Sequence, residues 1–188
     1  PNLHGRRIGR HLGEALGVPG FADNDGTVAA AGELLFGAGR QYQSFILATV
    51  GTAIGGGLVL DGRVYRGSRG FAAEIGHICV DPAGPWCGCG SRGCLEQYAS
   101  GTAIVRLYAE KARKRGVPVQ AALNPREVAE RAACGEVLAR DTIEEAGRFL
   151  AQGFGTILNV LNLEACIVGG GVSRAGEVLL EPVRRHLA

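Results

Sequence analysis

The sequence predicts an α/β fold in which helices cover a β-sheet. Three segments carry this prediction. Residues 41–65 alternate between strand and turn signals, residues 136–161 have the length and periodicity of a long helix, and residues 165–173 have the order strand, glycine turn, helix. Of the 188 residues, 46% are hydrophobic and 20% are charged, so the chain can bury a sizeable core.

Two helices joined by an extended segment are expected first. Residues 6–16 place Ile8, Leu12 and Ala15 on one helical face and end before Gly17. Residues 19–23 should be extended. A second helix then follows Asn24 and Asp25 and ends at Gly37, so Asp25 is expected at a strand-to-helix junction.

A β-hairpin array is expected next, with strands at residues 45–50 and 58–60 around a glycine-rich turn at 51–57. Asp61-Gly62 is a type I′ turn signal that returns the chain through Val64 and Tyr65. Residues 41–60 are uncharged and long enough to cross a membrane, but four glycines and several polar residues favour two strands instead.

Helices dominate the remainder. Ser100 is a predicted N-cap for a helix that runs to residue 113, and Asn124-Pro125 with Glu127 predicts the start of another. The long helix at 136–161 leads to a strand at 165–168, a turn of three glycines and a final helix after Ser173.

Composition excludes several classes of protein. The net charge is +2 and the basic residues are dispersed, so neither a nucleic-acid stripe nor an acidic tail is present. The start has no secretory signal pattern, and we expect a cytoplasmic protein without a membrane partner. Because the chain starts with Pro1 and contains no methionine, we expect a piece of a longer protein.

A metal site is the most specific feature of the sequence. His77, Cys87, Cys89 and Cys94 offer one imidazole and three thiolates, the donors that zinc prefers in closed structural sites. Intervening glycines let a short loop wrap an ion. The alternative is a cluster of buried reduced thiols beside a core histidine. The other three cysteines, which are Cys79, Cys134 and Cys166, lie in apolar contexts and are expected to be small core residues.

Two glycine-rich loops are candidates for binding a nucleotide. Residues 49–57 join two predicted strands, and backbone amides near Gly51 with the hydroxyls of Thr49 and Thr52 could approach an anion. A hairpin that is glycine-rich for tight packing explains this segment as well. Gly169, Gly170 and Gly171 follow a strand and open a helix, as nucleotide loops often do, but many plain strand-to-helix connections look the same.

Three carboxylates lie near predicted element ends or in the loops that hold the metal ligands: Asp25, Glu74 and Glu96. A carboxylate so placed can take a proton from a substrate hydroxyl, as phosphoryl transfer to an alcohol requires. Each could instead cap a helix or be solvated.

Taken together, these motifs resemble those of the ROK family, which comprises sugar kinases and sugar-responsive transcriptional repressors. Four segments match in order, namely Asn24-Asp25, residues 49–57, the run Glu74-Ile75-Gly76-His77 with residues 87–96, and residues 169–171. The third segment is highly specific. The resemblance extends from about Pro19 to the end of the chain.

The resemblance implies an actin-like ATPase (ribonuclease H-like) fold that phosphorylates a hexose with ATP and magnesium. It implies that Asp25 is the general base, that Asn24, Glu74, His77 and Glu96 bind the sugar, and that His77 also binds zinc. It further implies that Thr49, Gly51 and Thr52 lie along the phosphates of ATP, with Gly169, Gly170 and Gly171 near the adenosine.

Two departures from the family pattern are visible. Gly26-Thr27 stands where the family has Ala-Asn, and no Asp-x-Gly-Gly-Thr phosphate loop occurs. We therefore expect residues 1–18 to end a missing N-terminal lobe, and residues 19–188 to form a C-terminal lobe with an inserted zinc loop at 77–94. The fragment alone should phosphorylate poorly.

Three functional hypotheses follow. A glucokinase-like hexose kinase, expected to be a homodimer, is favoured because the catalytic set is retained. A sugar-sensing repressor would keep the same motifs and add a DNA-binding domain, so nucleic acid is a partner only under that hypothesis. A zinc-stabilised assembly domain would bind neither sugar nor nucleotide.

Overall fold

A computed structural model of the chain describes residues 7–187. Its core is a four-stranded mixed sheet in the order β3-β2-β1-β4, in which only β1 and β4 run parallel. The strands are β1 (Phe45–Val50), β2 (Ile54–Leu60), β3 (Arg63–Tyr65) and β4 (Ala165–Gly169). The α-helices are α1 (Ile8–Leu16), α2 (Asp25–Phe36), α3 (Glu96–Ala99), α4 (Gly101–Lys114), α5 (Pro125–Ala133), α6 (Val137–Leu161) and α7 (Glu177–Leu187).

Helices cover both faces of the sheet. Phe45, Leu47 and Val59 pack with Ala30 of α2 on one face. Ile46, Ala48, Val50 and Leu58 join the larger core beneath the helices α4 to α7. Burial on both faces explains why β1 and β2 carry no charged side chain, since every position on these two strands is buried or half-buried. None of the helices in the described part of the chain is both long and apolar enough to cross a bilayer.

The structure confirms the helix caps and the hairpin turn that the sequence predicts. Ser100 accepts a hydrogen bond from Ala103 N, and Asn124 accepts one from Glu127 N. Asp61 and Gly62 both have positive φ, as a type I′ turn requires. The long helix α6 ends at Asn162, which adopts the left-handed conformation.

The predictions for the glycine-rich turn, the last helix and the remaining cysteines need correction. The turn predicted at 51–57 is only three residues long, because β2 begins at Ile54 and includes Gly55 to Gly57. Side chains at these three glycines would meet Thr49, Ala73 and Gly26, respectively. The helix expected after Ser173 begins at Glu177, since a 3-10 helix (Gly171–Ala175) and the positive φ of Gly176 precede it. Cys79 and Cys134 are exposed and are not core residues, whereas Cys166 is half-buried.

The first helix is confirmed over Ile8–Leu16, while residue 6 of the predicted span lies outside the described residues. Its predicted apolar face is not buried, because Ile8, Leu12 and Ala15 are exposed. The close packing is on the opposite side, where a Cβ at Gly9 would lie 2.9 Å from Gly20 O. Residues 19–24 form no strand, and the chain reaches Asp25 through this irregular segment.

Candidate functional site

Both glycine-rich loops begin at the same end of the sheet, where the parallel strands β1 and β4 end. In the β-ladder, Thr49 pairs with Gly55 of β2 and with Gly169 of the parallel strand β4. A Cβ at Gly170, where φ is +86°, would lie 2.5 Å from Val50 O. Only glycine fits this position, and the loop of residues 169–171 therefore packs directly against the start of the β1–β2 turn.

The N-terminus of α4 anchors the β1–β2 turn. Gly101 N donates to Gly51 O at 2.7 Å, and Thr102 Oγ1 donates to Thr52 O at 2.8 Å. Sequence reasoning identified Ser100 as a cap but missed these two contacts, because 50 positions separate the partners and no local pattern links them. The turn that carries Gly51 and Thr52 is thus fixed from both sides.

A groove of about 560 Å³ starts where the second loop ends. It lies between α5 and the 3-10 helix Gly171–Ala175, and its lining combines apolar and charged side chains. The lining includes Pro125, Arg126, Glu130, Val172, Arg174 and Val178. The groove has the size and mixed lining expected of a small-molecule site.

The N-terminus of α2 lies directly on β2. Asn24 caps this helix by accepting from Thr27 N at 3.0 Å, and Asp25 is the first helical residue. A Cβ at Gly26 would lie only 2.0 Å from Gly56 O. Asp25 is exposed, and its Oδ1 accepts from Gly26 N at 2.8 Å.

Glu74 lies in a segment with an unusual backbone conformation that contacts the same strand, β2. Ala73 has φ +67°, and Ile75 N donates to Ala73 O at 2.7 Å, which makes Glu74 the centre of an inverse γ-turn. A Cβ at Gly56 would lie 2.3 Å from Ala73 O. Gly56 therefore contacts both the residue after Asp25 and the residue before Glu74, which brings the two exposed carboxylates to one part of the molecule.

The four predicted metal ligands form one cluster. The donor atoms of His77, Cys87, Cys89 and Cys94 all lie within 4.8 Å of one another. His77 Nδ1 is 3.6 Å from Cys87 Sγ, and Cys89 Sγ is 3.6 Å from Cys94 Sγ. Tetrahedral zinc with bonds of about 2.0–2.3 Å requires separations of roughly 3.5–3.8 Å between its ligand atoms, so the donor set fits this ion.

Glu96 lies beside the cluster. Cys87 Sγ donates to Glu96 Oε1 at 2.9 Å, and the same oxygen is 3.9 Å from His77 Nδ1. On the other side, His77 N donates to Glu74 O at 3.1 Å, and a Cβ at Gly76 would lie 2.1 Å from Ile54 O of β2. The metal ligands, Glu74 and Glu96 therefore belong to one continuous region next to β2.

The thiols of the cluster differ in acidity. Burial raises the pKa of Cys94 to about 12, and burial also raises the pKa of Cys87. The backbone N–H of Ser91 lowers the pKa of Cys89. Zinc binds thiolates, and loading of the cluster would therefore release protons.

Comparisons with known proteins give a consistent result. The sequence profile of the ROK family matches residues 2–188. The chain is 37% identical over 199 residues to a glucokinase of Thermotoga maritima, an alignment that covers 100% of the chain and 61% of that protein. It is also 30% identical to a xylose repressor of Bacillus spizizenii, with coverage of 100% of the chain and 47% of the repressor.

A solved structure supports the same relationship. The structure of a ROK family glucokinase from Streptomyces griseus, in complex with glucose and AMPPNP, superimposes with a TM-score of 0.86 at 37% identity. The match covers 95% of the chain and 61% of that glucokinase. The chain thus spans about three fifths of the length of the glucokinases it matches.

Proposed function

The chain belongs to the ROK family, and from this premise we propose that it is the larger part of an ATP-dependent hexose kinase of the glucokinase type. The observation that carries the proposal is the junction at Gly56 of β2, where the residue after Asp25 and the residue before Glu74 both lie in close contact. The two nucleotide-loop candidates leave the end of the same sheet where β2 begins. Phosphoryl transfer requires an acceptor site next to a phosphate site, and this arrangement supports the proposal that the chain carries both.

Asp25 is the proposed general base. Its Oδ1 accepts the hydrogen bond from Gly26 N, so Oδ2 would take the proton from the attacking sugar hydroxyl. The residue is exposed at the start of α2, where a substrate can reach it. Close packing of Gly26 against Gly56 fixes the helix start and hence the direction of the carboxylate.

Four further residues are the proposed sugar ligands: Asn24, Glu74, His77 and Glu96. The capping bonds from Thr27 occupy Oδ1 of Asn24, so its Nδ2 group would donate to a sugar oxygen. His77 Nδ1 points to the thiols, which leaves Nε2 for the sugar. The carboxylates would accept from hydroxyl groups through charge-assisted hydrogen bonds.

ATP with magnesium is the proposed phosphate donor. Thr49, Gly51 and Thr52 would lie along the phosphates, with Gly169, Gly170 and Gly171 near the adenosine. The groove that begins at Gly171 supports the adenosine position, since it follows these glycines directly. The related glucokinase of Streptomyces griseus was solved with AMPPNP, which further supports a nucleotide in this family.

We also propose that His77, Cys87, Cys89 and Cys94 bind one structural zinc ion. Four protein donors leave no open coordination position, which argues against a catalytic metal. The ion would set the tautomer and direction of His77 and would hold the loop that carries Glu96. Zinc would thus organise the sugar site without taking part in phosphoryl transfer.

The proposal extends to the fold, the lobes and the assembly of the whole protein. The mixed sheet with helices on both faces supports an actin-like ATPase fold. Within it, residues 19–188 would be the C-terminal lobe with the zinc loop at 77–94, and residues 1–18 the end of an N-terminal lobe. A homodimer in the cytoplasm is the expected form of the whole protein.

The second candidate is a sugar-sensing repressor. The chain is 30% identical to the xylose repressor, which favours this candidate. It is 37% identical to the glucokinase, so the kinase is favoured more strongly. The two functions share the sugar and zinc motifs. A DNA-binding domain upstream of this region would indicate the repressor, and an Asp-x-Gly-Gly-Thr loop would indicate the kinase.

A coupled ADP-release assay on the full-length protein, with ATP, magnesium and a panel of hexoses, tests the proposal. Asp25→Asn should reduce kcat about 10²- to 10⁴-fold, because the general base is lost, while sugar binding by calorimetry is retained. Glu177→Gln removes a carboxylate from the first turn of α7 and should leave turnover unchanged. Undiminished turnover of the Asp25 variant would refute the role of the base, and sugar binding without turnover in the natural protein would favour the repressor.

A further inference from the structure

One ion pair connects the two segments that carry the proposed base and a proposed sugar ligand. Arg66 Nε donates to Asp23 Oδ2 at 2.7 Å across 43 residues of sequence. Asp23 is two residues before Asp25, and Arg66 is the first residue after β3, on the path to Glu74. The pair therefore joins segments that no ladder hydrogen bond connects.

Each partner also shapes its own segment. The second oxygen of Asp23, Oδ1, accepts from Asn24 N at 2.9 Å, immediately before the cap of α2. The carbonyl of Arg66 accepts from Ala72 N at 3.2 Å and closes the loop of residues 66–72. One residue later the chain reaches Ala73, the αL position that sets the γ-turn at Glu74.

Apolar packing contributes little to holding these segments. Ser68, Arg69 and Phe71 are exposed, and the loop turns at Gly67 and Gly70, which have φ values of +69° and +80°. On the other side of the pair, Phe21 is 93% exposed. With so few buried side chains, a directional polar link has a large share in setting how far apart the two segments lie.

We propose that Asp23 and Arg66 form a clamp that positions the start of α2 relative to the loop preceding Glu74. The clamp sets the distance between the base and the sugar ligand while touching neither substrate nor nucleotide. This inference rests on the proposed role of Asp25 and Glu74 in sugar binding. The hydrogen bond from Arg66 also lowers the pKa of Asp23, which favours the charged form of the pair.

A double-mutant cycle in the full-length protein tests the clamp. Asp23→Asn, Arg66→Gln and the double variant are titrated with glucose by calorimetry, and their KM and kcat are measured by ADP release. Exposed ion pairs contribute about 0.2–1 kcal/mol, which corresponds to a roughly 1.4- to 5-fold rise in the dissociation constant of glucose for each single variant. The double variant should be no worse than either single variant, because one interaction is removed in all three.

Two controls separate the clamp from a general effect on the fold. Arg115→Gln breaks an exposed arginine–aspartate pair of 3.0 Å between α4 and α6, and it should leave glucose affinity unchanged. Salt should weaken glucose binding by the natural protein between about 0.02 M and about 0.5 M, but should have less effect on Arg66→Gln. Additive losses in the cycle, or unchanged glucose affinity in both single variants, would overturn the clamp.

The clamp and the proposed function fail in different ways. If the natural protein binds glucose without turnover, the kinase is rejected, and the calorimetric cycle still decides on the clamp. If the natural protein binds no glucose, the rates of amide hydrogen exchange in the Asp23 and Arg66 variants test the clamp instead. Breaking either partner should then speed exchange both at residues 24–27 and at residues 72–77, and acceleration of only one segment would overturn the clamp.

Discussion

At the scale of single residues, Ala73 carries the clearest backbone strain. Three non-glycine residues in the described chain have positive φ, and the other two are Asp61 and Asn162, whose polar side chains tolerate this region. Alanine has no such compensation, and the left-handed conformation costs it about 1–2 kcal/mol. The strain lies directly before Glu74, where it directs the chain into the γ-turn.

Replacement of Ala73 by glycine should relieve this strain. Part of the gain is offset by the greater entropy of glycine in the unfolded chain, so we expect the free energy of unfolding to rise by about 0.5 kcal/mol. Urea denaturation measures the change. Ala72→Gly is the matched control, because Ala72 has no positive φ, and it should lower stability by about 0.5–1 kcal/mol. A loss of stability in both variants would contradict the strain at Ala73.

Cys166 should be an unreactive thiol. Burial raises its pKa from 9.0 to about 11, so it stays protonated at neutral pH, whereas Cys134 is exposed. A thiol reagent at about pH 8 should label Cys134 first, as peptide mass spectrometry would show, and faster labelling of Cys166 would contradict its burial. Because the folded-state pKa is raised, the stabilising effect of the protonated thiol is complete below pH 9 and is lost as the pH rises to about 11.

At the scale of elements, glycine allows α2 and β2 to lie backbone to backbone. Gly26 faces Gly56, and Gly57 faces the backbone of Gly26 and the methyl group of Ala30. Side chains on either element would separate the helix from the strand. The same strand also supports the segment of Ala73, so this contact fixes where the two segments meet β2, while the proposed clamp acts on their outer parts.

Gly26→Ala should therefore displace the start of α2. The new Cβ would lie 2.0 Å from Gly56 O, a backbone atom, so we expect a loss of about 1–3 kcal/mol in unfolding free energy together with weaker glucose binding. Gly32→Ala, in the same helix, meets nothing within 4 Å and should stabilise the protein by up to about 1 kcal/mol. Chemical denaturation of both variants and calorimetry test this pair, and equal effects of the two substitutions would reject the contact.

At the scale of the whole molecule, the loop of the proposed zinc ligands connects the segment of Glu74 to the helical layer. Cys79 pairs with Cys94 in an isolated antiparallel bridge, and Leu95 beyond the last ligand is fully buried beside α6. The ligand loop is therefore attached to the core at its end, and loss of the ion should affect the stability of the chain as a whole.

Removal of zinc should lower stability measurably. When free zinc is present at about 1,000 times the dissociation constant of the site, binding adds about 4 kcal/mol to the free energy of unfolding. A chelator that removes the ion removes this stabilisation. Trp86, the sole tryptophan of the chain, precedes Cys87 and stacks under Arg92 at 4.6 Å, so its fluorescence should report the change. Cys89→Ser should abolish binding of one zinc per chain by elemental analysis, while Cys79→Ser should retain it. A protein that purifies without zinc and is unaffected by chelator would contradict the site.

Features of this chain that depend on neighbouring residues followed from the sequence alone. The caps at Ser100 and Asn124, the turn at Asp61-Gly62 and the strand run of β1 each depend on a few adjacent residues, whose propensities act locally. The clustering of the four candidate metal donors was predictable for the same reason, because three of the four lie within eight positions. The family was evident from the order of these local motifs, and the family profile confirms it.

Only the tertiary structure decided which distant segments meet. The sequence predicted a turn across Gly55 to Gly57, but these glycines belong to β2, where side chains would meet Thr49, Ala73 and Gly26, respectively. The contacts of Gly101 and Thr102 with the β1–β2 turn, and of Arg66 with Asp23, join residues separated by 43 or more positions. Such contacts depend on the packing of whole elements against each other, and no local propensity encodes them.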